Sequence, residues 1–287
     1  MQTIHVSSAQ QSPKSTVLIM GDQINRGIAS LANKTPDDTR ILFIELATKF
    51  SDKQWHRQKV HLLLSALKHF AQELREEGFE VDYRIAKNLN EGVKAHKRDF
   101  DVTHVIAMEP MNWNGKKILE NLDIELVQNN QFLCHYEDFA EWTTTKTKFK
   151  MEDFYRWQRK RLDILMDGST PCEGKWNFDH DNRERPPRDG REWPSITLFE
   201  HDDIDNDILQ NLDDFWGAYP KGVWPVTREQ ALIRLDEFVN GALKPFGPYE
   251  DAMLGKEWKL AHSVLSSSLI LGCYTRWKSF VQLNKHI

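Results

Sequence analysis

The sequence of 287 residues contains few cysteines, no long apolar run and no excess of positive charge. Its three cysteines, Cys134, Cys172 and Cys273, lack the number and spacing of a disulfide framework or a close metal site, which suggests a reducing compartment. No apolar run reaches the length of a membrane span, and residues 1–15 lack the apolar core of a signal peptide. We therefore expect a cytoplasmic protein with no membrane association, beginning with a disordered tail over residues 1–15.

The net charge of −5 argues against a protein whose whole surface attracts nucleic acid, but it is compatible with a local basic patch. Hydrophobic residues, by contrast, make up 40% of the chain, which is enough for a buried core. Ten residues are tryptophan. Composition does not decide whether they anchor the core or line a site for a flat or redox-active ligand.

Short apolar runs alternate with helical patterns in the first half of the chain. Five runs are typical of buried strands, at residues 16–20, 41–45, 81–85, 104–110 and 124–128. Between the second and third runs, apolar residues recur at a helical period that stops at Gly78. This alternation predicts an α/β fold, a Rossmann-like open parallel five-stranded sheet with helices on both faces.

Ligands of such sheets bind at the carboxyl ends of the strands, where this sequence places polar residues. Asp22 and Gln23 follow the first strand, Glu45 ends the second, and residues 109–113 follow the fourth. The sequence has no G-x-G-x-x-G and no G-x-x-x-x-G-K-[ST] pattern, which disfavours ordinary dinucleotide binding and a P-loop. Asp22 and Glu45 are candidates to bind a ring N–H or the ribityl hydroxyls of a small aromatic ligand. The alternative is that Asp22 caps a helix and Glu45 is a strand-end charge.

A connector is predicted over residues 136–200. Its helix, within residues 148–168, carries several cations between aromatic residues. Such a pattern can bind phosphates and stack on bases, but the solvated basic face of a core helix is the interpretation that the pattern favours. The acidic run at residues 200–214 predicts an exposed loop.

Helical patterns dominate from residue 201 onward. Thr227 and Gln230 resemble a capping box, and the helix that follows is expected to end within residues 240–245. A further amphipathic helix is predicted from Trp258 to Leu271. The predicted organisation is thus a tail at 1–15, an α/β domain at 16–135, a connector at 136–200 and the beginning of an all-α domain at 201–287.

Six motifs, in this order, make the sequence similar to the prokaryotic photolyase-related proteins, the iron–sulfur bacterial cryptochromes and (6-4) photolyases of the photolyase/cryptochrome superfamily. They are GDQIN, WHRQKVHLLLSALKHFAQELREEGFEVDY, MEDFYRWQRKRLDILM, GKWNFDHDNR, FGPYEDAM and HSVLSSSLILG. The resemblance extends from Thr16 to Gly272. Each motif alone is a weak signal, whereas six in the same order are a specific one.

This resemblance implies an α/β antenna domain, a connector and an all-α domain that holds FAD. In the family, reduced flavin excited by blue light passes an electron to a UV-damaged pyrimidine pair that is flipped out of DNA. A lumazine-type chromophore can serve as antenna, and a four-cysteine iron–sulfur cluster lies in the helical domain. Carried over to this sequence, Asp22, Gln23 and Glu45 belong to the antenna pocket. Tyr249 is carried over to the start of the flavin site. The segment with His262, Ser263, Leu265 and Ser266 is carried over as the one whose hydroxyl and backbone N–H groups would bind the flavin phosphates. On the sequence alone His262 and Ser263 also fit a helix N-cap, and both roles can coexist.

The sequence also departs from the family. Ser267 and Ile270 stand where the family usually has proline and asparagine, and the family continues well beyond the matched region. We therefore expect this chain to bind FAD weakly or not at all, to hold no iron–sulfur cluster, to be monomeric and to repair no DNA alone. The alternatives are a non-catalytic α/β protein that binds a chromophore or a nucleotide, and a nonfunctional product of a damaged gene.

The residues after Gly272 no longer follow the family pattern. Moving the reading frame by one base allows Leu-Leu-His-Pro-Leu-Glu-Val-Ile in their place, which restores the family's proline and glutamate. We therefore expect the tail to be a frameshift product, with Trp277, Phe280 and Val281 poorly ordered or loosely docked. The alternative is a natural short variant with its own C-terminus.

Overall fold

The computed structural model describes residues 14–51, 53–110 and 112–274, and these divide into two compact units. The sheet unit comprises the described residues up to Met20, those of Ala29–Lys53 and those of Phe70–Gln128. The helical unit comprises the described residues of Gly21–Ile28, those of Gln54–His69 and those from Asn129 onward. Both units are discontinuous in sequence, and the domain boundaries expected after residues 135 and 200 stay predictions.

The sheet unit is built on five parallel strands in the order β3-β2-β1-β4-β5. The strands and the helices between them are β1 Ser15–Ile19, β2 Thr39–Leu46, α1 Arg57–Glu76, β3 Glu80–Ala86, α2 Leu89–Phe100, β4 Val105–Met108, α3 Trp113–Glu120 and β5 Glu125–Val127. All five strands fall where the apolar runs predicted them. The predicted α/β fold with a five-stranded parallel sheet is therefore confirmed.

Helices pack on both faces of β2. Phe43 and Ile44 are consecutive residues, so their side chains point to opposite faces of the sheet. The Phe43 ring makes an edge-to-face contact with Phe70 of α1, at 6.1 Å between ring centroids. On the other face, a Cβ added to Gly92 of α2 would lie 2.8 Å from Ile44. The absence of a side chain at Gly92 therefore allows α2 to approach the sheet closely.

A buried histidine links β1, β3 and α2. The Nδ1 of His96 lies 2.6 Å from an Asp82 carboxylate oxygen, and its Nε2 lies 2.9 Å from the Thr16 hydroxyl oxygen. Because a carboxylate only accepts, Nδ1 donates, and a neutral ring then accepts the Thr16 hydroxyl at Nε2. Burial lowers the pKa of His96, helped by the charges of Arg84 and Arg40 and opposed by Asp82. The folded protein therefore favours neutral His96.

We expect this histidine to make stability depend on pH. A lowered folded-state pKa means that unfolding takes up a proton as the pH falls below the unfolded value of about 6.5. The stabilisation is complete above that pH and is lost below it, with a slope of at most about 1.4 kcal/mol per pH unit. Urea unfolding of His96→Gln should show a weaker loss of stability from about pH 7.5 to about pH 5.5 than wild type. The exposed His180→Gln variant should keep the wild-type dependence, and equal curves for wild type and His96→Gln would contradict the assignment.

The helical unit begins with a short loop and takes residues 57–69 of α1. Its other elements are α4 Tyr136–Thr144, α5 Met151–Leu162, the two-residue strands β6 Met166–Asp167 and β7 Thr170–Pro171, α6 Asp203–Leu209, α7 Arg228–Glu237, a π-helical turn Phe238–Ala242, α8 Leu243–Phe246 and α9 Ser266–Leu271. Of the helices within the described ranges, none combines the length and apolar character that a bilayer crossing requires.

Thr227 caps α7 as predicted, because its hydroxyl accepts a hydrogen bond from the Gln230 N–H. The reciprocal bond of a capping box does not form, because Gln230 Oε1 accepts from the Val226 N–H at 2.9 Å. Two other expectations for this region are wrong. The acidic run at 200–214 is not simply a loop, because Asp202 caps α6 and Ile208 and Leu212 are buried. The helix from α7 also does not end within residues 240–245, because it continues through the π-helical turn and α8 to Phe246.

The predicted helix from Trp258 to Leu271 is also wrong in its first half. Helical structure begins only at Ser266. Leu260 and Val264 have φ angles of 52° and 56°, which place them in the left-handed region and outside an α-helix. Leu260, Ala261 and Leu265 are buried, as the apolar spacing suggests, but they lie outside the α-helix.

Two expectations concern residues that the structure does not describe. The tail at residues 1–13 lies outside the described ranges, while Ser15 already belongs to β1. Trp277, Phe280 and Val281 also lie outside them. The last two described residues, Cys273 and Tyr274, are buried.

Candidate functional site

The loop after β1 carries the first two candidate residues, Asp22 and Gln23. Gln23 is fully buried, and Asp22 is partly exposed. The backbone of this loop is fixed within the helical unit, because the Asp22 carbonyl accepts a hydrogen bond from Gln131 Nε2 at 2.7 Å. The N–H of Ile24 donates to the Leu271 carbonyl at the end of α9 at 2.9 Å. The loop after β1 is therefore held by the helix that begins at the candidate flavin residue Ser266.

Glu45 is positioned by its neighbour on β3. The Tyr83 hydroxyl donates to a Glu45 carboxylate oxygen at 2.7 Å, and the Tyr83 ring stacks on Phe43 with centroids 6.0 Å apart. Burial and the contact with Glu45 raise the pKa of Tyr83, so the hydroxyl stays protonated and donates. One Glu45 oxygen is thus fixed, and the carboxylate can accept further hydrogen bonds from a ligand N–H or hydroxyl.

The structure places these candidates in different units. Asp22 and Gln23 belong to the helical unit, whereas Glu45 belongs to the sheet unit. Their joint role in one antenna pocket therefore stays a prediction. The helical unit also contains every candidate flavin residue, from Tyr249 to Ser266.

Tyr249 lies in an aromatic and cationic environment. Its partly buried ring contacts Trp193 edge to face, with centroids 5.5 Å apart, and the Arg191 guanidinium lies 5.8 Å from the ring centroid. Asp189 holds that guanidinium through both carboxylate oxygens, at 2.6–3.1 Å. An aromatic ring beside a fixed cation suits a flat ligand that carries negative charge.

The segment that leads into α9 presents a series of hydroxyl groups. The Ser263 hydroxyl accepts from the Leu265 N–H at 3.4 Å, Leu265 is buried, and Ser266 is exposed at the first helical position. The His262 ring contacts Phe246, with centroids 6.1 Å apart. The predicted residues of this segment are therefore together at one helix start, but Ser263 already uses its oxygen locally.

Two further hydroxyls on α9 were not among the candidates. The Oγ atoms of Ser267 and Ser268 are buried and have no hydrogen-bond partner within the described part of the chain. A buried hydroxyl without a partner is unfavourable unless a ligand or water supplies one. The donor set around α9 therefore fits the polar part of a flavin dinucleotide, its ribityl hydroxyls or phosphates. The sequence showed Ser267 only as a departure from the family's proline.

The basic helix α5 divides into structural and exposed cations. Arg159 is only 6% exposed and donates to the Ile164 and Trp176 carbonyls at 3.1 and 3.2 Å, so it holds the connector together. Arg156 and Lys160 lie 5.5 and 5.4 Å from the centroid of the Trp176 ring. Cation–π packing on Trp176 accounts for these two cations without a ligand. The basic face agrees with the preferred interpretation, but α5 is not a core helix, because Arg159 is the only one of its described residues that is buried.

Two curated proteins and one solved structure are among the known proteins that this chain resembles. A (6-4) photolyase from Agrobacterium fabrum is 31% identical over an alignment of 266 residues, which covers 87% of this chain and 52% of that protein. An uncharacterised protein of Acanthamoeba polyphaga mimivirus is 27% identical over 172 residues, covering 53% of this chain and 86% of its own length. A crystal structure of a bacterial class III photolyase from Agrobacterium tumefaciens matches with a TM-score of 0.58 at 14% identity, over 99% of this chain and 56% of the other.

The structural match shows the fold, and the chain spans about half the length of the Agrobacterium fabrum protein. The family model described as deoxyribodipyrimidine photo-lyase-related protein matches residues 17–219, which is more than half of this chain. The match includes the last three residues of β1, the other four strands of the sheet, and α6. The chain therefore belongs to the deoxyribodipyrimidine photo-lyase-related protein family.

Proposed function

We propose that this chain is the chromophore-binding, N-terminal part of a photolyase-type flavoprotein, which uses blue light to repair UV-damaged DNA. The family match over residues 17–219 is the observation that carries the proposal. In this proposal a lumazine-type antenna chromophore binds at Asp22, Gln23 and Glu45. Because the chain spans about half the length of the photolyase it resembles, we assign the repair reaction to the longer protein and not to these 287 residues.

Glu45 supports the antenna role through its geometry. It ends β2, next to the central strand β1, at the carboxyl edge where open parallel sheets bind ligands. Tyr83 fixes one of its oxygens at 2.7 Å, so a ligand meets a carboxylate of defined orientation. A charge-assisted hydrogen bond from a ring N–H or a ribityl hydroxyl to such a carboxylate contributes about 1.5–3 kcal/mol.

The flavin role is proposed for Tyr249, His262, Ser263, Leu265 and Ser266, with Ser267 and Ser268 added by their buried hydroxyls. When bound, FAD supplies the light-driven electron transfer. The residues of this chain would hold its polar part. A binding pocket normally encloses most of its ligand, and Ser266 is exposed while Tyr249 and His262 are only partly buried. We therefore expect FAD to bind this chain weakly and to be lost on gel filtration.

The test is chromophore retention after reconstitution with a ribityl-lumazine. We expect Glu45→Ala and Asp22→Ala each to weaken lumazine binding about tenfold, which corresponds to the loss of one charge-assisted hydrogen bond. Tyr83→Phe should have a smaller effect, because it keeps the ring and releases the carboxylate. Binding is measured by the absorbance that comigrates with the protein.

Glu80→Ala is the matched control. Glu80 is the first residue of β3, at the edge of the sheet opposite to that of Glu45, and its carboxylate pairs with Arg40 at 2.9 Å. It should bind lumazine as wild type does. If Glu45→Ala and Asp22→Ala both retain full binding, the antenna site is elsewhere. Stoichiometric FAD on the purified chain, identified by its flavin spectrum, would contradict the expectation that this chain holds flavin only weakly.

A further inference from the structure

The helical unit contains a cluster of histidine and aspartate side chains to which neither the resemblance nor the proposed function assigns a role. His61 and His69 lie on α1, and Asp202 and Asp205 lie at the start of α6. We call these four residues the His–Asp cluster. One ligand atom from each of His69, Asp202 and Asp205 lies within 4.8 Å of the others. Possible metal-ligand atoms from two helices that are far apart in the sequence therefore lie close together.

The hydrogen bonds of α6 orient both carboxylates. Asp202 and Asp205 form a reciprocal capping box, in which an Asp202 oxygen accepts from the Asp205 N–H at 3.0 Å and an Asp205 oxygen accepts from the Asp202 N–H at 3.4 Å. The other oxygen of each carboxylate faces a histidine. Asp202 Oδ2 lies 2.8 Å from His69 Nε2, and Asp205 Oδ1 lies 3.2 Å from His61 Nε2. The capping box therefore uses one carboxylate oxygen of each aspartate and leaves the other oxygen facing a histidine.

The hydrogen bond of His69 Nδ1 determines whether Nε2 of the same ring can donate to Asp202. Its Nδ1 lies 2.7 Å from the Ser65 carbonyl oxygen, which can only accept, so Nδ1 carries the proton. In a neutral ring Nε2 is then an unprotonated acceptor, and it faces an Asp202 carboxylate oxygen at 2.8 Å. Two acceptors at this distance repel each other unless a positive charge, a proton or a metal ion, lies between them. A ligand histidine in proteins typically donates its other N–H to a backbone carbonyl, as His69 does.

Two buried atoms of the cluster also need a partner. His61 is 5% exposed and Asp205 is 1% exposed. His61 Nε2 and Asp205 Oδ1 form an ion pair at 3.2 Å, but among the residues that the structure describes neither atom makes a hydrogen bond of good geometry. Buried polar atoms of this kind are normally satisfied by protein, water or an ion. Both residues line a small cavity with room for about one water molecule, so an ion can reach Asp205.

We propose that His69, Asp202 and Asp205 bind one divalent metal ion of the zinc type, and that His61 positions the Asp205 carboxylate. One imidazole nitrogen and two carboxylate oxygens form a donor set that zinc accepts. Ligand atoms about 2.0–2.2 Å from a tetrahedral zinc ion lie about 3.3–3.6 Å apart. The His69 and Asp202 atoms, now 2.8 Å apart, would therefore separate slightly to admit the metal, which needs only small side-chain movements. Ser65 fixes the ring of His69 from behind, and the capping box fixes both carboxylates. The metal would join α6 to α1 and stabilise the helical unit.

The probe is Zn²⁺ added to the full chain after treatment with a chelator. Calorimetric titration should show one saturable zinc site per chain, and zinc should raise the midpoint of thermal unfolding by several degrees. His69→Gln and Asp202→Asn should each weaken zinc binding at least tenfold and remove the zinc-dependent shift. Asn is as good a helix cap as Asp, so Asp202→Asn keeps the start of α6 while it removes the charge.

The control is His104→Gln. His104 and Glu125 form an exposed pair, 2.6 Å apart, outside the cluster, and its loss should leave zinc binding unchanged. If wild type binds no zinc saturably, or if both cluster variants bind it with wild-type affinity, His69 and Asp202 form only a protonated ion pair and the proposal is wrong. Should His69→Gln fail to fold, Asp202→Asn decides the question.

Discussion

Replacing Gly222 with alanine should lower the free energy of unfolding by about 3 kcal/mol or more. Gly222 has a φ angle of +70°, where an L-residue costs about 1–2 kcal/mol. An alanine Cβ at this position would also lie 1.9 Å from the carbonyl oxygen of Phe199 and 2.9 Å from its carbonyl carbon and its nitrogen. These are backbone atoms, and they cannot turn away as the end of a side chain can.

A hydrogen bond between the same two residues explains why the backbone cannot move to relieve the clash. The Phe199 N–H donates to the Gly222 carbonyl at 2.8 Å, so a shift that relieves the clash breaks this bond. Phe199 and Gly222 both line the cavity beside Asp205. Alanine here would therefore disturb the wall next to the His–Asp cluster.

Gly168→Ala separates the two causes. Gly168 has a φ of +59°, but nothing lies within 4 Å of the added Cβ, so this variant bears only the left-handed backbone cost of about 1–2 kcal/mol. Denaturant unfolding of both variants measures the difference. Equal losses for Gly168→Ala and Gly222→Ala would show that the close backbone approach at Gly222 contributes nothing.

The sheet was predictable because each of its strands is a short, continuous apolar run. In a parallel sheet covered on both faces, consecutive residues such as Phe43 and Ile44 are both apolar, and the shortness of each run favours a strand over a buried helix. The prediction of a ligand site at the carboxyl edge rests on the same fold. Position alone made Asp22 and Glu45 candidates and left a cap and a strand-end charge as the alternative. The resemblance then assigned both residues to an antenna pocket, which stays a prediction.

The start of α6 was not predicted because two effects compete in an acidic run. Charge density and the lack of long apolar stretches suggested a loop. The spacing of Asp202 and Asp205, with Ile208 and Leu212 after them, instead forms a cap followed by two buried residues one turn apart. That signal was present in the sequence. The histidines of α1 that meet this cap are over 130 positions away, and no local pattern joins them to it.

The turns before α9 were missed for a different reason. Apolar residues from Trp258 to Leu271 follow a helical period, and no glycine or proline interrupts them. Leu260 and Val264 nevertheless have positive φ angles, which are uncommon for bulky residues and rare for β-branched ones. Tertiary packing therefore overrides the local preference in the segment that carries the candidate flavin residues, as is common near functional sites.

A buried arginine holds the chain that leads to the His–Asp cluster. Arg234 of α7 is 1% exposed, and its guanidinium donates to the carbonyls of Thr197 and Val223 at 2.7 and 3.0 Å. It also binds Glu237 at 2.6 Å and lies 5.1 Å from the centroid of the Phe199 ring. Burial lowers the pKa of Arg234, and the carboxylate of Glu237 opposes this effect. The guanidinium thus joins α7 to both segments that pair at Gly222.

We expect Arg234→Met to reduce the free energy of unfolding by about 3–5 kcal/mol, as measured by denaturant unfolding. Methionine fills much of the volume but leaves the Glu237 charge and the carbonyls of Thr197 and Val223 without the guanidinium donor. Adding Glu237→Gln should recover part of the loss, because it removes the unpaired charge. Arg98→Met is the control, since Arg98 pairs with Asp99 at 2.9 Å with 75% of its side chain exposed, and it should change stability by no more than about 0.5 kcal/mol. If Arg234→Met lowers the free energy of unfolding as little as Arg98→Met does, the guanidinium does not hold the two segments together. Other contacts must then hold the chain before Asp202.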